Sequence, residues 1–219
     1  MPEDSDNLGY GFGPLAGDEP ESLCVMVHGY GADGSDMIGA ARILADYLPG
    51  TLFVAPNGPE PCSTNPGFYQ WYGMEAGIAG IDVGIRYVAP LLNRYIDLQL
   101  ERLGLSDDEL IIFGFSQGGG VALEAAYRRP KPCMALLCFT SALRNKDRLE
   151  AEMSAKPPIL FVHGAEDAVI PPASLQRASA LLSSMGVHVE THICEGIGHT
   201  MNEEGVHTAA SFILEQRLG

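Results

Sequence analysis

The side chains best suited to chemistry at a carbonyl centre on Ser116, in the run Gly114-Phe115-Ser116-Gln117-Gly118-Gly119. An apolar, β-branched stretch, Leu110-Ile111-Ile112-Phe113, breaks into this run and is followed by a sequence that permits a helix. That pattern reads as a nucleophile elbow, in which a tight strand-to-helix turn lifts the serine hydroxyl above a sheet. Glycines two before and two after the serine are needed because a Cβ there would strike the neighbouring strand or helix. The plainer reading is a glycine-rich turn with Ser116 as an ordinary helix cap. A serine hydroxyl is a weak nucleophile, so the first reading requires a base and a group that orients it.

Both are available downstream, in the order acid then histidine. Pro158-Ile159-Leu160-Phe161-Val162-His163-Gly164 is a short apolar run, and Glu166 and Asp167 lie in the loop after it. Adjacent carboxylates cannot be separated by sequence geometry. Of the six histidines, His188 and His192 fall on the polar face of an alternating strand pattern, and His207 lies within the closing helix pattern. His28 and His163 each precede a glycine at a strand end, where an imidazole more often braces a loop. His199, in Gly196-Ile197-Gly198-His199, has both the order and the loop setting of a base. An oxyanion hole needs one N–H just after the nucleophile and one from an early βα loop. Gln117 supplies the first. The second is Tyr30, in Gly29-Tyr30-Gly31-Ala32-Asp33-Gly34, a loop that doubles as the entry to a helix capped by Ser35 or Asp36.

Taken together, His28-Gly29-Tyr30-Gly31-Ala32-Asp33, Ala55-Pro56-Asn57, Trp71-Tyr72, the Ser116 run, His163-Gly164-Ala165-Glu166-Asp167 with Ile170-Pro171, and Gly198-His199 resemble the phospholipase/carboxylesterase family. That family includes bacterial carboxylesterases and acyl-protein thioesterases. The resemblance runs from about Leu23 to the C-terminus. It implies an α/β-hydrolase fold and a triad of Ser116, Asp167 and His199, with Tyr30 and Gln117 donating to the oxyanion. It also implies acyl transfer from an ester or thioester to water through an acyl-enzyme, with no metal or organic cofactor. Three positions depart from the family pattern: Tyr30 stands where leucine is usual, Gly73 where aspartate is common, and Thr140-Ser141 replaces Ser-Gly.

These residues must be positioned by strands and helices in alternation. Strand-like runs at 23–28, 51–55, 110–115, 134–139, 159–162 and 187–193 alternate with helix-like runs at 36–48, 87–103, 116–128, 173–185 and 203–218. Such alternation implies a mostly parallel sheet with helices on both faces. Pro90 should stop a helix from extending backwards, so 80–88 reads as a turn with Pro90 in the first helical turn. The connection from 141 to 157 is too short for a helical lid. A chain of 219 residues with 46% hydrophobic and 19% charged content suits one globular domain spanning residues 1–219.

Composition narrows the partners. The formal net charge of −15 repels nucleic acid and anionic membrane surfaces at long range. No stretch approaches the ~18 apolar residues of a membrane span, and the acidic, Gly- and Pro-containing segment 1–21 does not read as a signal peptide. Five cysteines, Cys24, Cys62, Cys133, Cys138 and Cys194, show no paired metal-ligand spacing and suit a reducing cytoplasm. A homodimer is left open.

The segment from 56 to about 81 lacks periodicity yet holds Phe68, Tyr69, Trp71, Tyr72, Met74 and Ile78. Long irregular segments in compact domains are commonly binding loops, so Phe68, Trp71 and Tyr72 are expected to line an acyl groove. Two rival readings remain at this stage: a serine peptidase on the same fold, and a non-catalytic binding protein.

Overall fold

The computed structural model describes residues 9–17, 19–75 and 77–218, so most of the acidic start lies outside the described residues. In chain order the elements are β1 (Tyr10–Phe12), β2 (Ser22–Val27), α1 (Ile38–Tyr47), β3 (Thr51–Ala55), β4 (Glu60–Pro61), β5 (Tyr69–Gln70), α2 (Gly77–Leu103), β6 (Leu110–Phe115) and α3 (Gln117–Tyr127). They continue with β7 (Ala135–Phe139), α4 (Lys146–Glu152), β8 (Ile159–Gly164), α5 (Ala173–Ser184), β9 (Val189–Cys194) and α6 (Glu203–Leu218). Among the described residues the central sheet has seven strands, in the order β1-β3-β2-β6-β7-β8-β9. Only β1 runs antiparallel to its neighbour.

Period-two burial explains why the middle strands read as unbroken apolar runs. Leu23, Val25 and Val27 of β2, with Leu110 and Ile112 of β6, pack into the core beneath α2, α3 and α5. Cys24, Met26, Ile111 and Phe113 point to the other face, beneath α1 and α6. A strand covered on both faces has no solvent side to be polar. Burying each large aliphatic side chain contributes about 1.5–3 kcal/mol. All five cysteines are buried and free. No described helix is long and apolar enough to cross a membrane.

Two local expectations need correction. First, α2 does not begin near Tyr87 but runs through Pro90 from Gly77. Proline interrupts a helix by about 3 kcal/mol because it removes an N–H and crowds the carbonyl four residues back. Pro90, however, is exposed, while Ile81, Ile85, Val88, Ala89 and Leu92 all bury along the same helix. The apolar stripe on both sides outweighs the local penalty. Second, Tyr10–Phe12 adds an edge strand, and Glu60–Pro61 pairs with Tyr69–Gln70 inside the segment expected to be irregular. The 141–157 connection holds only the seven-residue helix α4, which buries Leu149, in keeping with a connection too short for a helical lid.

Candidate active site

Ser116 sits between β6 and α3 with φ 52° and ψ −115°, a positive φ that a residue with a Cβ adopts only at a cost of order 1–3 kcal/mol. The surroundings enforce it. A Cβ on Gly114 would lie 2.5 Å from the Gly119 Cα, and one on Gly118 would lie 2.1 Å from the Val27 carbonyl oxygen. The glycines therefore let α3 pack directly against β6 and β2. The Ser116 N–H donates to the Phe139 carbonyl at 2.9 Å, which ties the turn to β7.

Two other strand ends bring the partners. The His199 Nε2 lies 2.8 Å from the Ser116 Oγ, and its Nδ1 lies 2.8 Å from the Asp167 Oδ2. With Nδ1–H donating to the carboxylate, the Nε2 lone pair faces the hydroxyl. Asp167 follows β8, and its Oδ1 accepts the N–H groups of Val169 and Ile170, each at 2.8 Å. Burial raises the Asp167 pKa, but those N–H donors and His199 more than offset it and hold the carboxyl below the ordinary value of 3.8. Glu166 points to solvent, so the geometry separates two carboxylates that sequence order could not.

The other histidines brace. His163 lies 3.3 Å from the Asp167 Oδ2 and donates from Nε2 to the Ile170 carbonyl at 2.7 Å, fixing the acid loop. His28 is held neutral by its burial, and its Nε2 accepts the Gly58 N–H at 2.9 Å. His188 and His192 pair with Glu190 and Glu204 at the surface, and His207 meets the Tyr47 hydroxyl.

A cleft of about 400 Å³ opens over Ser116 and His199. Tyr30 and Gln117 border it. Among the described residues, neither of their backbone N–H groups donates to another protein group, which is the state an oxyanion hole requires. Tyr72, Met74, Ile81, Phe115 and Ile170 supply much of the apolar lining.

Of the three expected groove residues, only Tyr72 reaches this cleft. Phe68 is part-exposed elsewhere, and Trp71 is 2% exposed. The Trp71 indole N–H donates to the His28 carbonyl at 2.9 Å. Its backbone N–H donates to the Gln117 Oε1 at 2.9 Å, and the Gln117 Nε2 donates to the Tyr72 carbonyl at 2.8 Å. Gln117 thus clamps the loop onto the elbow with its side chain, a role the sequence reading missed. Met74 and Ile81 fall within the segment expected to line the groove, whereas Arg144 was missed. Arg144 had a usable signal, since it follows the strand beside the nucleophile strand.

Among the described residues, His192, Cys194 and Glu204 bring one donor atom each within 4.8 Å of one another. Those donors are already engaged: His192 bonds Glu204 at 2.7 Å, and the Cys194 thiol donates to the Asn202 Oδ1 at 3.3 Å. We read the group as the packing of β9 on α6.

Known proteins resemble the chain over most of its length. The profile of the Phospholipase/Carboxylesterase family matches residues 15–216. Esterase YpfH of Escherichia coli (strain K12) is 27% identical over 195 residues, covering 88% of this chain and 82% of its own. Acyl-protein thioesterase 1 of Neurospora crassa is 25% identical over 215 residues, covering 88% and 85%. The crystal structure of esterase PE8 superposes with a TM-score of 0.90 at 35% identity, over 94% of this chain and 97% of that one. The chain therefore belongs to the phospholipase/carboxylesterase family and is a hydrolase of the carboxylesterase/thioesterase type on an α/β-hydrolase fold.

Proposed function

We propose that the protein hydrolyses carboxylic esters or thioesters of small acyl substrates through Ser116, His199 and Asp167. The observation that carries this reading is the continuous link from Asp167 through His199 to Ser116, with both contacts at 2.8 Å. As the Ser116 Oγ attacks the acyl carbonyl, its proton passes to the His199 Nε2. The carbonyl oxygen becomes an oxyanion, met by the N–H groups of Tyr30 and Gln117. Asp167 keeps the imidazole oriented and stabilises its charged form. When the tetrahedral intermediate collapses, His199 returns the proton to the departing alkoxide or thiolate, leaving an acyl-serine. Water then attacks the acyl-serine, giving its proton to His199, and the carboxylic acid leaves as Ser116 recovers its hydrogen. Every proton in this sequence moves among Ser116, His199, the leaving group and water.

The cleft is compact, and the acyl wall we assign is Tyr72, Met74 and Ile81. The test is fluorophosphonate treatment followed by intact-mass measurement and peptide mapping. One adduct at Ser116, and loss of ester hydrolysis in Ser116→Ala, is the expected result. An adduct on another residue, or hydrolysis undiminished in Ser116→Ala, would overturn the assignment.

A further inference from the structure

The cleft contains a charge that acyl transfer does not use. Among its described lining residues Arg144 is the only one with a permanent charge, and no carboxylate lines the cleft. Arg144 is half-buried in the loop between β7 and α4. The arginines around it are neutralised: Arg86 and Arg128 hold Glu152 at 2.7 and 2.5 Å, and Arg129 holds Asp97 and Asp107. Arg144 has no such partner; among the described residues no carboxylate lies within ion-pair distance of it. It is close enough to Tyr72 to favour the phenolate there, against the burial that lifts that hydroxyl to about 12. A guanidinium withdrawn from water without an anion forgoes the strongest bonds it can make.

The surroundings extend the same logic outward. Arg144 also borders a second pocket, of about 570 Å³, between α2 and α4. Its lining adds Lys146 and Arg148 to Arg144, against Asp82 and Asp147, with Arg86 already held by Glu152. This occurs in a chain whose net charge of −15 repels anions from most of its surface.

We infer that Arg144 is a specificity-determining residue, and that the substrates are esters or thioesters bearing an anionic group, carboxylate or phosphate, that reaches its guanidinium while the carbonyl sits at Ser116. This rests on the hydrolase reading above and names the substrate class of that same cleft. The planar fork favours bidentate contact with either oxyanion.

Two matched pairs test it: monomethyl adipate against dimethyl adipate, and 2-(hexanoyloxy)ethyl phosphate against 2-hydroxyethyl hexanoate. In at least one pair the wild-type enzyme should favour the anion in kcat/KM. Arg144→Gln should lower kcat/KM for that anion by about 10- to 100-fold, mainly through KM, as the loss of a charged hydrogen bond implies. The neutral partner should lose at least about tenfold less. Arg144→Lys, which keeps the charge but not the fork, should retain part of the preference. The pair that responds tells whether carboxylate or phosphate is bound. Preference for the neutral ester in both pairs, or equal losses on anion and neutral in Arg144→Gln, would overturn the inference. Fluorophosphonate labelling and neutral-ester hydrolysis would then still support the hydrolase reading; a protein that neither labels nor hydrolyses any of the four overturns both.

Discussion

Ser116 and the loop that carries Tyr72 face the same cleft, but they are positioned by different physics. The elbow is fixed by backbone contact: Gly114 and Gly118 leave no room for a side chain, and the Ser116 N–H is bonded to β7. The loop across from it is held by side chains, with Gln117 clamping Trp71 and Tyr72 and with neutral His28 accepting from Gly58. Under the proposed mechanism, the reacting atoms are set by strands, helices and glycines, whereas the proposed substrate wall is set by a few hydrogen bonds that one substitution can release. Variation in the wall can therefore redirect substrate choice without moving the triad.

The largest effect expected from this contrast lies on the rigid side. Asp167→Asn should keep the fold, since an amide oxygen can still accept the Val169 and Ile170 N–H groups, yet lower kcat by about 10⁴ as the imidazole loses its orienting charge. Steady-state kinetics would check this; if Glu166→Gln is the crippling change instead, the acid has been misassigned. Trp71→Ala comes next. Truncating so buried an aromatic should cost about 3–5 kcal/mol of stability, visible in thermal or urea unfolding, with activity falling equally for short and long acyl chains. Unchanged stability, with a deficit that grows with chain length, would move Trp71 from brace to wall. Met74→Ala should give the smallest and most selective effect, because Met74 borders the cleft and is 42% exposed. The melting temperature should hold, while kcat/KM falls with acyl length by up to about 0.8 kcal/mol per methylene that had packed there. A loss equal for acetyl and octanoyl esters would remove Met74 from the acyl wall.

The two regions were also unequally legible in the sequence. β3 and β6 are readable to the residue, because each is an apolar run whose end is marked, by Pro56 after β3 and by Gly114 in β6. The serine, acid and histidine could be placed in order for the same reason, each lying just past a strand. The choice between Glu166 and Asp167 was readable only from the family resemblance and not from spacing, since it depends on which carboxylate turns inward to the Val169 and Ile170 N–H groups. Helix α2 was cut short because a proline penalty is local, whereas the burial of Ile81 and Ile85 that overrides it is tertiary. The hairpin of β4 and β5 has two residues per strand, too few for any period to show. Trp71 looked like groove for its size and its irregular setting, but its indole N–H found the His28 carbonyl, and such partnerships leave no trace in spacing.

The central claim is that side chains from three strand ends act as one catalytic unit, and the most direct test is a mutant cycle on kcat with a single ester substrate. Ser116→Ala, His199→Ala and the double variant should each lose about the same factor, on the order of 10⁶, because removing one member already disables the others. Losses that multiply in the double variant, or a Ser116→Ala enzyme within about tenfold of wild type, would contradict the account.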